Sequence, residues 1–369
     1  MPTPPTPDQP PVLPLTMPAE TGPHDRIWMA FPREGQTLGA SLAEREAGYA
    51  AWSAVALAVA EFEPVTMIAD PTETARARQL LGSAVELVER PLDDFWLRDS
   101  GPTFVHDAAG RLAAVDWIFN GWGGNDDWTG WEHDKDLARF VAGLAGVPVV
   151  SSLLVNEGGG IHVDGDGTVL VTETVQLDPR RNPHADKARV EAELARTIGA
   201  SRVIWLPRGL TRDYDTFGTR GHVDIVATSP APGTVLLHAQ EDPAHPDHAV
   251  TRELRALLEG QRDAAGRALE IIDVPAPATL RDSEGFVDWS YINHLVVNDG
   301  VIACGFGEPD ADARAKEILA AAYPGRRVVT VDARELFARG GGVHCITQQQ
   351  PAARTGEHDP RGAAGSVAA

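Results

Sequence analysis

Four times along this chain a short polar cluster runs into a strand, a turn and a return strand. The clusters are RDSGPTFVHDAAGRLAAVDWIF from Arg98, EGGGIHVDGDGTVLVTE from Glu157, GHVDIVATSPAPGTVLLH from Gly221 and SYINHLVVNDGVIACGFG from Ser290. Apolar runs on both sides of a Gly-, Asn- or Asp-containing turn predict hairpins. A fifth cluster, GGGVHCITQQQ at 340–350, opens a strand with no evident return partner. With Asp99, Glu157, His222, Ser290 and Cys345 as markers, the intervals are 58, 65, 68 and 55 residues. Stretches at 41–62, 134–145, 185–200, 247–260 and 310–323 carry apolar residues at i, i+3, i+4 and i+7, which predicts amphipathic helices. Five mixed α/β units, each with polar residues at a strand start, point to a closed ring around a central site. A doubly wound sheet would instead call for parallel strands and few hairpins.

Repetition also accounts for the size of the folded unit. Residues 1–16 contain seven prolines and read as a disordered arm, and from Ala352 to the end no apolar period is visible. Residues 17–351 between them hold no linker and read as one domain. No run of about 18 apolar residues occurs, so no membrane span is expected. The surplus of acidic over basic residues, a net charge of −21, argues against nucleic acid or an anionic membrane as a partner and favours a cationic ligand. The two cysteines, Cys304 and Cys345, are too few for a disulfide framework and suit a reducing, cytoplasmic setting.

The polar clusters carry the chemistry. Gly340 to Gly342 bring backbone close to whatever lies beside Cys345. A lone cysteine is usually a small buried apolar residue, which suits Cys304 in VIACGFG but not Cys345. His344 precedes Cys345 in a strand, so the two side chains are expected on opposite faces and out of contact. GHVD at 221–224 and IHVD at 161–164 each place a His and an Asp on one strand face. They could form a metal site from His162, Asp164, His222 and Asp224, or an acid–base histidine beside a carboxylate that binds a cation. DDFWLRDSGP at 93–102 packs Trp96 beside several aspartates, with Arg98 as one candidate partner for a buried carboxylate. Glu157 stands before a second triple glycine. A thiol, a histidine and several carboxylates suit attack on a planar cation such as a guanidinium. Carboxylates would oppose the developing oxyanion of acyl transfer.

MPAETGPHDRIWMAFP, DDFWLRDSGPTFV, NEGGGIHVDGDGTVLVTE, RNPH (181–184), WLPRGL, GHVD and GGGVHCITQQQP occur in that order between Met17 and Pro351. In these motifs the chain resembles the agmatine deiminase family, close to the peptidyl-arginine-deiminase-type enzymes of the guanidino-group-modifying superfamily. The resemblance implies a five-bladed α/β propeller of ββαβ units, the pentein fold. It implies hydrolysis of agmatine to N-carbamoylputrescine and ammonia with no metal or organic cofactor, and a homo-oligomer. By motif position, Cys345 corresponds to the nucleophile, His222 to the general acid/base and Glu157 to the residue that orients it. Asp99 and Asp224 correspond to the carboxylates that hold the guanidinium, with Trp96 beside them. Related reactions, deimination of arginine or another guanidino compound and amidino transfer to an amine, are the alternatives within the superfamily. Two departures concern the far end of the substrate. Thr21 stands where the family commonly has Trp, and Arg220 where it has Asn or Asp before Gly-His-Val-Asp. Arg220 could meet a substrate carboxylate, point outward, or pair with Asp213 or Asp215.

Overall fold

A computed structural model describes residues 11–124 and 130–354. Each predicted hairpin forms and continues through a helix into a third strand parallel to its second. Strands β1 (His24–Ala30), β2 (Val65–Ala69) and β3 (Glu86–Glu89) come first, with helices α1 (Leu42–Ala60) and α2 (Thr74–Leu81) between them. The four repeated units then follow. They are β4 (Thr103–His106), β5 (Leu112–Ile118), α3 (Leu137–Ala145) and β6 (Val149–Val155), and next β7 (Ile161–Val163), β8 (Thr168–Thr172), α4 (Lys187–Ile198) and β9 (Arg202–Leu206). After them come β10 (Ala227–Ala231), β11 (Thr234–Ala239), α5 (Asp247–Glu259) and β12 (Glu270–Pro275), then β13 (Leu295–Val297), β14 (Gly300–Gly305), α6 (Pro309–Ala322) and β15 (Arg327–Asp332). Within each, the first two strands are antiparallel and the third is parallel to the second. The strands after the helices carry no turn signal of their own, so only their neighbours reveal them.

The fifth sheet resolves the strand that lacked a partner. β16 (Thr347–Pro351) pairs antiparallel with β1, Thr347 opposite Met29 and Gln350 opposite Arg26, and β1 continues parallel to β2. The two ends of the chain thus share one sheet, in the order β16-β1-β2-β3, and close the five-bladed propeller. The glutamine tract is buried in that closure, where Trp28 Nε1 donates to Gln350 Oε1 at 2.9 Å.

Helix ends follow local chemistry. Ser41 and Glu44 form a capping box at the start of α1. Asp186 caps α4, and Gly199 ends it in the left-handed conformation that glycine tolerates best. Most of the packed apolar core lies between these helices and the sheets, with a second cluster around Leu15, Val115, Val171 and Leu194. That second cluster corrects the boundary of the proline-rich arm. Leu15 is buried, Thr16 exchanges backbone hydrogen bonds with His106, and Met17 N donates to the carbonyl of Ile198. Residues 1–10 of the expected arm, and 355–369 of the expected tail, lie outside the described residues. Among the described residues no helix is long and apolar enough to cross a membrane.

Candidate active site

The five polar clusters do not sit on the strands themselves. They occupy the turns that lead into the first strand of each unit: the short helix Leu97–Ser100, the 3-10 turns Gly158–Gly160 and Val223–Ile225, the loop before β13 and the turn before β16. Each is hydrogen-bonded to the next around the ring. Gly159 N donates to Asp99 Oδ1 at 3.0 Å, and His222 Nε2 meets Glu157 Oε2 at 3.2 Å. Asn293 Nδ2 donates to the carbonyl of Asp224 at 3.2 Å, and Cys345 N donates to Asn293 Oδ1 at 3.3 Å. Arg98 N then donates to the carbonyl of Cys345 at 3.2 Å and closes the circle.

Gly159 shows how tightly the centre is built. A Cβ there would lie 2.5 Å from His222 Nδ1 and 3.0 Å from both Asp99 Oδ1 and Asp224 Oδ2. The glycine therefore admits three functional side chains to one point. Gly341 does the same on the thiol side, where a Cβ would lie 2.9 Å from Cys345 Sγ and from the Trp96 ring. Trp96 is backed by Phe95 and Trp52 at ring distances of 6.0 and 5.5 Å, which fixes it as a wall beside the sulfur.

Five candidate residues, Cys345, His222, Glu157, Asp99 and Asp224, converge and are buried. The Cys345 thiol lies 3.4 Å from Asp224 Oδ2 and receives a hydrogen bond from Asn293 Nδ2 at 3.2 Å. Burial, followed by the charges of Asp224 and Asp99, pushes this thiol well above its usual range. Burial alone would lower His222, but Asp99, Glu157 and Asp224 outweigh it and carry the imidazole up to about 9. Glu157 shows the opposite balance. Burial opposes its charge, while Arg181 and His222 hold the carboxyl down to about 2. Burial, then the carboxylates of Asp224 and Glu157, raises Asp99 to about 6 against the pull of His222. Asp224 is lowered despite burial, chiefly by His344. His222 Nδ1, 3.8 Å from Asp99, and Asp224 Oδ1 are buried without a hydrogen-bond partner. Unpaired buried groups of this kind call for a ligand or for strain as explanation.

Several residues depart from expectation. His344 does not lie on a strand, because β16 begins only at Thr347, and the alternation of faces therefore does not govern it. Its ring reaches the same carboxylate as the thiol, with Nδ1 2.8 Å from Asp224 Oδ2, and its Nε2 is 2.9 Å from Glu20 Oε1. Arg98 leaves the aspartates of its own motif and reaches Glu20 Oε1 at 3.5 Å and the carbonyl of His344. Asp99 instead accepts from Trp122 Nε1 at 2.8 Å. Arg220 pairs with neither Asp213 nor Asp215 through its side chain; its Nε lies 3.3 Å from Asp178, and the side chain is 38% exposed. Asp213 is occupied in holding the backbone N–H groups of Thr219, Gly221 and His222.

Sequence reasoning missed Arg181, Asn293 and Glu20 as parts of the site. Arg181 Nε donates to both oxygens of Glu157 at 2.9 and 3.0 Å, and its other nitrogens bind Asp178 and the carbonyl of Thr219. RNPH marked it in the sequence without disclosing its partner. Asn293 lies two residues after a residue of ordinary core type, Tyr291, and carries no signal of its own.

The metal reading fails on geometry. Among the described residues His162, Asp164, His222 and Asp224 do not form a group able to share an ion. Asp164 Oδ1 is used by the N–H groups of Asp166 and Thr168 in the β7–β8 turn, and His162 Nε2 lies 2.9 Å from Thr228 Oγ1. Glu20, His162 and His344 do approach one another within 4.8 Å. There the Arg98 guanidinium stands 3.5 Å from Glu20 and would repel a cation, while Glu20 and His344 already satisfy each other.

Fold and site together define a pentein-type enzyme whose axis presents a thiol, an imidazole and carboxylates to a planar cation. Residues 16–351 match the Porphyromonas-type peptidyl-arginine deiminase family, and the chain belongs to that family. It is 56% identical over 337 residues to a Streptomyces coelicolor protein provisionally named an agmatine deiminase, covering 91% of this chain and 98% of that one. It is 39% identical over 358 residues to the agmatine deiminase of Stutzerimonas stutzeri, covering 91% and 95%. The solved structure of an agmatine deiminase of Enterococcus faecalis superposes with a TM-score of 0.83 at 32% identity, covering 91% of this chain and 96% of that one.

Proposed function

We propose that the protein hydrolyses agmatine to N-carbamoylputrescine and ammonia through a covalent amidino-cysteine intermediate. The observation that carries this reading is the meeting of Asp99, Asp224 and the unpaired His222 Nδ1 around Gly159, with Cys345 Sγ 3.4 Å from Asp224 Oδ2. The names of the relatives support agmatine as the substrate.

The carboxylates of Asp99 and Asp224 hold the guanidinium by charge-assisted hydrogen bonds and keep it charged. The bound cation offsets the carboxylates that oppose ionisation of Cys345, and the thiol proton leaves to solvent as it binds. The thiolate attacks the guanidinium carbon and a C–S bond forms. His222, protonated because its pKa lies near 9, gives its proton to the departing nitrogen, and the C–N bond breaks to release ammonia. Neutral His222 then takes a proton from water as the oxygen attacks the same carbon. Collapse expels the Cys345 thiolate, the remaining hydroxyl proton passes to solvent or to the released ammonia, and the neutral ureido product is left. Glu157, itself locked by Arg181, keeps the imidazole oriented and charged for the first half-reaction.

A cavity of about 390 Å³ opens beside Gly340, next to the glycine that packs on Cys345. Asp213, Asp215, Glu284 and Asp288 line it together with Arg212, Phe217, Phe286 and Phe337. Arg212 is held by Asp282 and Glu284, so the lining keeps an acidic excess, which favours a cationic aliphatic tail over a carboxylate. Two buried, unpaired cysteines support a reducing cytoplasmic setting. The test is a substrate panel of agmatine, arginine, methylated arginines and guanidino acids, assayed for ureido product, with C345S alongside. Agmatine turnover with at least about a 10³-fold loss in C345S is expected. Ureido product from arginine alone would move the substrate, a new guanidino product would mean amidino transfer, and full activity in C345S would remove the nucleophile.

A further inference from the structure

We propose that His344 is a positioning residue for this reaction: clamped between Asp224 and Glu20, it turns one Asp224 oxygen to the thiol and leaves the other for the substrate. This rests on the deiminase reading above.

The two ring nitrogens of His344 face carboxylate oxygens at 2.8 and 2.9 Å, and both side chains are buried. An ionised carboxylate only accepts hydrogen bonds, so the ring satisfies both partners when both nitrogens carry a proton. The main chain around it is equally constrained. His344 N donates to Asn293 Oδ1 at 3.0 Å, and its carbonyl accepts from Arg98 Nε at 3.2 Å. The ring therefore has one place to be, and Asp224 inherits that place.

The consequence is a division of labour between the two oxygens of Asp224. Oδ2 is shared by His344 and Cys345 Sγ, whereas Oδ1 is buried without a partner. Without the imidazolium, Asp224 could rotate and present either oxygen, and a misplacement of about 1 Å in a site of this kind costs about 10²-fold in rate. The positive ring on Oδ2 also draws carboxylate charge away from the adjacent sulfur, whose ionisation that charge opposes. Glu20 holds the far nitrogen and is itself faced by Arg98. The sequence Asp224–His344–Glu20–Arg98 thus alternates in charge from the substrate carboxylate to the protein interior.

Purified full-length wild type, H344Q and E20Q would be compared in two assays, after circular dichroism has established that each is folded. The first is steady-state turnover of agmatine. The second is alkylation of Cys345 by 2-chloroacetamidine, a planar cation, against its neutral counterpart 2-chloroacetamide. Wild type should favour the cation, because Asp99 and Asp224 hold it. In H344Q that preference should fall at least about ten-fold and kcat/KM by about 10²-fold, with KM raised as well as kcat lowered. E20Q keeps an acceptor for the far nitrogen and should move the same way by a smaller factor. A histidine that merely fills the core would lower the melting temperature and leave the preference of the folded protein unchanged, and that result in H344Q overturns the proposal. If H344Q is not recovered folded, the preference in E20Q decides in the same way. If wild type does not turn over agmatine, the substrate reading fails, while the cation preference still reports on His344.

Discussion

His222 and His344 are both buried among the carboxylates around Cys345, yet they are held in opposite ways. His222 has one nitrogen on Glu157 and the other without a hydrogen bond. His344 has both nitrogens on carboxylates. The difference teaches which histidine can move a proton. A general acid must bring an N–H to the leaving group and later accept a proton from water, so one nitrogen has to face the reacting atoms. A ring anchored at both ends can supply charge and geometry but has no free nitrogen to offer. Both imidazoles are raised by their neighbours, and pKa alone would not separate them. Their hydrogen bonds do.

The widest test of this contrast is H222N, which should lower kcat by about 10²–10⁴-fold, the usual range for a lost general acid/base. A kcat in H222N within about ten-fold of wild type would break the distinction. E157Q should follow, with a loss of about ten-fold or more and a shift in the pH profile. In wild type, kcat/KM should fall on the alkaline side as His222 loses its proton near pH 9. Without the Glu157 charge the imidazole proton leaves at lower pH, so that limb should move toward neutrality. A limb that stays in place would show that another group titrates.

A smaller effect concerns stability. The folded pKa of His222 lies above its ordinary value of 6.5, so its contribution is fully present below about pH 6.5 and is lost as pH rises through about 9. Glu157 is depressed from 4.5 to about 2, so its contribution is present above about pH 4.5 and is lost as pH falls through 2. Urea midpoints measured from pH 6 to 10 should therefore decline more steeply in wild type than in H222N, and parallel declines would contradict the assigned coupling. The smallest expected effect is that of R220N. Arg220 is partly exposed, binds Asp178 and has φ of +72°, a conformation that asparagine accepts readily. Activity and the preference between agmatine and arginine should stay within about two-fold of wild type. A marked change in preference would place Arg220 at the substrate tail after all.

The elements legible in the sequence are those whose signals are local. The hairpins at Thr103–Ile118, Ile161–Thr172, Ala227–Ala239 and Leu295–Gly305, and the amphipathic helices between them, form where alternation and helical period placed them. Cys345 stands out because three glycines precede it, and Glu157 for the same reason after it. Alternation of faces places His344 opposite Cys345, but alternation is a property of strands, and His344 sits in a turn. Arg98 is one candidate partner for the carboxylates of its own motif, but a short helix turns its side chain toward Glu20, a residue 78 positions away.

By itself the sequence determined that this chain would be built from five α/β units, each bringing polar residues to the start of a strand, and that Cys345 differs in kind from Cys304. Both follow from patterns that a few residues carry on their own. Tertiary structure alone decided that β16 returns to β1, joining Trp28 to Gln350 across 322 positions, and so closed the ring. It also decided that Arg181 would lock Glu157, that Asn293 would hold the Cys345 thiol, and that one histidine would be anchored at both nitrogens and the other at one. These pairings depend on distances between turns that belong to different blades, and those distances exist only once the circle is complete.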